Sequence, residues 1–150
     1  MIHGLDHTAL SVPDLAAALE FYCGVLGFEV ESESEWWAGA KKVDRLVGLP
    51  DSAARVVIIR LAETRLELFE YRSPEPRPRD EAFRVCDHGL THLCLRVSDI
   101  HEEHARLSAA GMTFEEAPID VGSSICVYGR DPFGNVIELK QYDPAPSPEA

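Results

Sequence analysis

The chain repeats itself once, and this repeat limits its possible folds more than any other feature. Asp6-His7-Thr8-Ala9-Leu10-Ser11-Val12-Pro13-Asp14-Leu15 aligns with Thr91-His92-Leu93-Cys94-Leu95-Arg96-Val97-Ser98-Asp99-Ile100 at an offset of 85 residues. Both copies read His-x-x-Leu-x-Val-x-Asp-(Leu/Ile). Each runs into a helical stretch and a glycine-marked turn, Val25-Leu26-Gly27-Phe28 in the first and Ala109-Ala110-Gly111-Met112 in the second. The halves also close alike: Leu66-Glu67-Leu68-Phe69-Glu70-Tyr71 matches Ile137-Glu138-Leu139-Lys140-Gln141-Tyr142 at an offset of 71, so the second half is shorter by 14 residues.

Hydrophobic alternation and turn residues give the elements. Leu5–Val12, Phe28–Glu35, Ala54–Ala62 and Arg65–Tyr71 read as strands of the first half. Pro13 and Asp14 open a helix reaching about Gly24, with the acidic side chain at its N-terminus. Lys41–Gly48 reads as a short helical insertion found only in this half. The second half has strands near Leu90–Val97, Met112–Glu116, Ser123–Gly129 and Asn135–Tyr142, a helix from about Ser98 to Ala110, and a turn at Asp131-Pro132-Phe133-Gly134-Asn135. The expected fold class is α+β: two tandem βαβββ modules forming a curved mixed sheet around a cleft. Neither module can cover its own sheet, so residues 1–150 should form one domain. Module 1 spans about 4–72 and module 2 about 89–143. A linker fills 73–88, with three prolines in Ser73–Asp80, and a flexible tail covers 144–150.

Side chains alternate across a strand, so parity assigns faces. Leu10 and Val12 share the helix-covered face of the first strand, which turns His7, Ala9 and Ser11 the other way. Leu93, Leu95 and Val97 form the apolar set near the second copy, leaving His92, Cys94 and Arg96 opposite. In the closing strands Leu66, Leu68, Ile137 and Leu139 face the helices. Glu67 with Phe69, and Glu138 with Lys140, then face the cleft. Glu70 has the opposite parity. His7, Glu67, His92 and Glu138 thus form a candidate metal-ligand set, one imidazole and one carboxylate from each module. Those donors suit one divalent ion, Zn²⁺ first, with Ni²⁺, Co²⁺, Mn²⁺ or Fe²⁺ also compatible. A single strand histidine or closing-strand glutamate is ordinarily a core or surface residue. Four in matching positions of a repeat are hard to explain without a shared ligand, because a buried carboxylate lacking a partner costs on the order of several kcal/mol.

Composition removes several other classes. The net charge of −12 and the lack of a Lys/Arg cluster argue against nucleic acid, whose non-specific binding depends on cationic side chains. No stretch approaches the roughly 20 apolar residues of a membrane span, and the first residues lack a signal-peptide pattern, so the cytoplasm is the expected location. Cys23, Cys86, Cys94 and Cys126 contain no C-x-x-C pair and read as reduced, mostly buried thiols, with Cys94 and Cys126 facing a cavity. Of Trp36 and Trp37, one is a candidate for the mouth of the site and the alternative is packing against the insertion. Arg96 and Lys140 have cleft parity; they could bind an anionic group or form a salt bridge. His3, His88, His101 and His104 fall outside the site.

Taken together, His7–Leu15, Phe21–Phe28, His92–Ile100 and Asp131–Leu139 resemble the vicinal-oxygen-chelate superfamily. That superfamily includes glyoxalase I, methylmalonyl-CoA epimerase, extradiol dioxygenases and bleomycin-resistance proteins. The resemblance spans Leu5 to Tyr142 and implies paired βαβββ modules, a metal held at the positions of His7, Glu67, His92 and Glu138, and a homodimer. Extradiol dioxygenases use two histidines and one glutamate, whereas a carboxylate at Glu67 resembles glyoxalase I and the epimerases. Bleomycin-resistance members lack the ligands. Asp44–Pro50 and Arg65–Tyr71 look most like a branch with cyclitol-ketone epimerases, acting on compounds such as 2-epi-5-epi-valiolone. A metal chelating a ketone and its neighbouring oxygen polarises the carbonyl and stabilises an enediolate. Glu67 and Glu138 are the candidate catalytic acid and base, with Tyr71, Tyr128 or Cys126 the alternatives should both glutamates stay fixed. The resulting expectation is an epimerase or isomerase acting on a small carbonyl compound. A dioxygenase, a glyoxalase I-like lyase and a non-catalytic binding protein are the competing readings.

Overall fold

Each half of the repeat builds its own mixed sheet. The computed structural model describes residues 1–78, 80 and 83–142. The expected tail at 144–150 lies outside them, as do residues 79, 81 and 82 of the linker. The chain divides into two compact units, Met1–Pro78 and Arg79–Ala150.

In the first unit the elements are β1 (Thr8–Ser11), α1 (Leu15–Leu19, continuing as wider π-type turns over Glu20–Val25), β2 (Glu29–Trp36), α2 (Lys41–Val47), β3 (Ala53–Leu61) and β4 (Thr64–Ser73). The sheet order is β1-β4-β3-β2. β1 runs parallel to β4, while β3 is antiparallel to both its neighbours. The second unit holds β5 (Leu93–Arg96), α3 (Ile100–Ala109), β6 (Thr113–Phe114), β7 (Ile119–Asp120), β8 (Ser124–Arg130) and β9 (Val136–Tyr142). Its order is β5-β9-β8-β6, with β7 also pairing to β8, and β5 is parallel to β9. The architecture is therefore α+β, two units of βαβββ type, the first with α2 inserted and the second with the short extra strand β7.

Several boundaries differ from the sequence expectation. β1 and β5 are short, so His7 and His92 each sit just before a strand instead of within it. The strand expected over Met112–Glu116 contracts to two residues, and β7 appears where none was expected. Glu115–Pro118 offers no alternation to mark that break. No described helix is long and apolar enough to cross a membrane.

The helices start and stop for local reasons. Asp14 caps α1, its carboxylate accepting from Ala17 N at 2.9 Å. A second acceptor comes from far along the chain: Glu70 Oε1 accepts from Leu15 N at 3.2 Å. In the second unit Gln141 Oε1 accepts from Ile100 N at 2.8 Å. Glu70 and Gln141 are matching positions of the repeat, so a closing-strand side chain ties down the helix start in both units. Gly27 and Gly111 end the helical stretches with φ of 82° and 101°, a region open to glycine without strain.

The cores follow the parity reading. Leu66 and Leu68, with Leu15, Tyr22, Val57 and Ile59, are at most 2% exposed in the first unit. Ile137 and Leu139, with Ile100 and Leu107, are similarly buried in the second. Each such side chain contributes about 1.5–3 kcal/mol by leaving water. α2 is held differently. Asp44 Oδ1 accepts from Ser52 N at 2.9 Å and from Ser52 Oγ at 2.7 Å, and Ser52 Oγ accepts from Trp36 Nε1 at 2.9 Å. These hydrogen bonds hold the Asp44 carboxyl below its ordinary range.

Candidate functional site

The structure brings each predicted histidine onto its predicted glutamate. His7 Nε2 lies 3.1 Å from Glu67 Oε2 in the first unit, and His92 Nε2 lies 3.2 Å from Glu138 Oε2 in the second. The same ring nitrogen meets the same carboxylate oxygen in both halves. Register explains why: the parallel pairing sets Ala9 beside Glu67 and Cys94 beside Glu138, so a histidine two residues earlier reaches along the same face. Among the described residues no group of three or more His, Cys, Asp or Glu side chains comes together that could hold a metal ion. Each unit supplies half of the proposed four-ligand set.

The other imidazole nitrogens are also engaged, through residues not singled out from the sequence. His7 Nδ1 meets Asp6 Oδ1 at 2.9 Å, and His92 Nδ1 meets Thr91 Oγ1 at 2.8 Å. Asp6 and Thr91 occupy the matching position of the repeat, immediately before each histidine, which was the available signal. The Asp6 hydrogen bond is the main reason the His7 imidazole titrates above 6.5. Partial burial opposes the rise, and the charge of Glu67 adds to it. Two neighbouring carboxylates favour the protonated imidazole, and a divalent ion held by His7 and Glu67 would have to displace a proton from it. A ring fixed through Nδ1 with Nε2 aimed at a carboxylate has the orientation of a metal ligand supported from behind. The donor set therefore fits a divalent ion.

The surroundings of the two pairs differ. On the Glu67 face, Phe69 and Tyr71 stack with ring centroids 5.5 Å apart, and Trp36 meets them edge-on at 6.2 and 5.9 Å. Trp36 is therefore the tryptophan of this face. Trp37 is 59% exposed with the Arg72 guanidinium 4.5 Å from its ring, and it does not join the site. Burial, with a contribution from Glu67, raises the Tyr71 phenol above its ordinary range.

Cys94, Cys126, Tyr128 and Lys140 share the Glu138 face. The Tyr128 ring meets the His92 ring edge-on at 5.1 Å. Burial, followed by the charge of Glu138 and a hydrogen bond to it, raises the Tyr128 phenol. Burial and a hydrogen bond to Glu138 push the Cys94 thiol up to about 11. The cysteines are all free, as expected, but they are not mostly buried: Cys86 and Cys94 are exposed, and Cys23 and Cys126 are half-buried. Cys94 lies on a short strand whose outer face no helix covers, which hydrophobic patterning alone does not reveal. Among the described residues Arg96 and Lys140 form no salt bridge; both lie over the Tyr142 ring, at 5.7 and 5.3 Å. A cavity of about 550 Å³ in this unit is lined by Phe114, Ile119, Val121, Cys126 and Tyr128 among others, but not by Glu138 or His92. Glu70 turns away to the helix start, as its parity requires.

The chain is 31% identical over 150 residues to a 2-epi-5-epi-valiolone epimerase of Actinomyces sp., covering 90% of this chain and 77% of the relative. It is 27% identical over 146 residues to human mitochondrial methylmalonyl-CoA epimerase, covering 91% and 73% respectively. A glyoxalase family protein from Bacillus cereus superposes with a TM-score of 0.85 at 20% identity, covering 95% of each chain, and shares the fold. Residues 4–139 match the profile of one family, and the chain belongs to it: the Glyoxalase/Bleomycin resistance protein/Dioxygenase superfamily.

Proposed function

We propose that this chain is a metal-dependent epimerase or isomerase that removes and returns a proton beside a carbonyl. The observation that carries this reading is the duplicated imidazole–carboxylate contact, His7–Glu67 at 3.1 Å and His92–Glu138 at 3.2 Å. In this reading the two pairs meet on one divalent cation, Zn²⁺ in the first instance, whether the halves belong to one chain or to the two chains of a homodimer. When bound, the cation supplies Lewis acidity that makes the hydrogen next to a carbonyl removable.

The chain's own groups do the rest. His7 and His92 are held in orientation by Asp6 and Thr91. Glu67 and Glu138, each on the closing strand of its own unit, exchange the proton as base and acid. Delivery to the opposite face of the carbon inverts the centre, while delivery to the neighbouring carbon isomerises it. The proposed substrate is a small ketone with an adjacent oxygen, of the cyclitol type named in the Actinomyces relative. Two features support that size and shape. Trp36, Phe69 and Tyr71 give the Glu67 face an aromatic cluster suited to the C–H surface of a saturated ring. The cavity of about 550 Å³ in the second unit, lined in part by Tyr128 and Cys126, lies within the range of small-molecule sites, about 300–1,000 Å³.

The test is solvent exchange. Zinc-loaded protein incubated in D₂O with 2-epi-5-epi-valiolone should place deuterium at the carbon next to the carbonyl, and Glu67→Gln or Glu138→Gln should suppress this at least a hundredfold. Full turnover without deuterium incorporation, or oxygen uptake coupled to turnover, contradicts the proposal.

A further inference from the structure

The two carboxylates are treated very differently by their neighbours. Glu67 lies between Ala9 on β1 and Ile58 on β3, which offer only hydrocarbon. Glu138 lies between Cys94 on β5 and Tyr128 on β8, and both of those side chains carry a donor. Burial follows the same order: the side chains are 19% exposed for Glu67 and 11% for Glu138. A carboxylate so far out of water needs donors to offset its desolvation, and a phenol placed directly across the strand pair is one. Tyr128 also meets the partner imidazole, with its ring 5.1 Å from that of His92, while His92 Nε2 stands 3.2 Å from Glu138. One side chain thus borders both members of the second pair. Nothing equivalent stands in the first half, where Ile58 occupies the corresponding place.

We propose that Tyr128 is a positioning residue, which holds Glu138 and His92 in fixed orientation for their part in the site. This rests on the epimerase reading for its catalytic consequence, but its structural part does not. Tyr128 is 43% exposed, so Tyr128→Phe keeps the ring and removes only the hydroxyl without disturbing the core.

Two measurements on the full-length protein test the proposal. In metal-free protein, Tyr128→Phe should move the ¹⁵N signals of the His92 ring and leave those of His7 in place. In zinc-loaded protein, Tyr128→Phe should weaken Zn²⁺ binding in chelator competition by about tenfold or more, as loss of a supporting hydrogen bond does. It should also lower kcat with KM within about twofold. A Tyr128→Phe protein with unmoved His92 signals and unchanged Zn²⁺ affinity overturns the proposal, and so does a rise in KM with kcat intact. Failure of the wild-type protein to exchange substrate hydrogen rejects the epimerase reading instead, and the His92 signals then decide the role of Tyr128 by themselves.

Discussion

The first unit and the second carry the same pair of groups on the same frame, yet they surround it differently. In both, a histidine precedes the first strand, a glutamate stands in the closing strand parallel to it, and the next side chain of like parity to the core ties down the helix start. What the repeat keeps is what the frame and the pair require. What it lets diverge is the wall: aromatic rings around Glu67, and a phenol, two thiols and an ammonium around Glu138.

This comparison can be strained at matched positions. The largest effect belongs to the core, where Leu68 and Leu139 correspond and both are fully buried. Leu68→Ala and Leu139→Ala should each cost about 2–5 kcal/mol in urea unfolding. A large loss in one unit with none in the other would show that the two cores are not equivalent. Next is a place where the halves pack differently. A Cβ on Gly129 would come within 2.6 Å of the Phe114 ring and 3.0 Å of Met112 Cε, whereas the first unit has Ile59 on the corresponding face. Gly129→Ala should therefore destabilise by about 1–3 kcal/mol through overpacking. A neutral result would show that Phe114 moves aside freely.

A smaller effect is expected at the helix starts. Glu70→Ala and Gln141→Ala each remove an acceptor from the first turn, and each should cost about 1 kcal/mol. Unequal losses would show that one unit relies on another acceptor, and Asp14 makes the first unit the one to watch. The smallest effect distinguishes the halves by pH. The insertion α2 exists only in the first unit, and its Asp44 carboxyl is held below 3.8 chiefly by the Ser52 side-chain hydrogen bond. A depressed folded-state pKa stabilises the protein above the unfolded value, and that contribution is lost as pH falls through the folded one. NMR titration of Asp44 should give a midpoint below 3.8, and Ser52→Ala should return it upward. A midpoint unaffected by Ser52→Ala would remove this hydrogen bond as the cause.

Much of this was legible in the sequence because repetition and parity are both carried by residue spacing. The offset of 85 at the histidines and 71 at the glutamates locates the pair in each half, and alternation around Glu67 and Glu138 separates them from Glu70. Spacing is silent where contact depends on neighbouring strands. That Tyr128 lies across from Glu138, and Ile58 across from Glu67, follows from the registers of β8 on β9 and β3 on β4. The strand near Met112 stops at Phe114 although β8 runs on and pairs again with β7, and no local propensity records where pairing lapses. Trp36 and Trp37 are adjacent in sequence, so only the pleat decides which one joins Phe69 and Tyr71.

The most direct measurement is calorimetric titration of the metal-free protein with Zn²⁺, repeated for His7→Ala, Glu67→Ala, His92→Ala and Glu138→Ala. The account predicts one tight site per chain, abolished or weakened at least a hundredfold by a change in either half. Two independent sites per chain, or one site indifferent to changes in one of the halves, would contradict it.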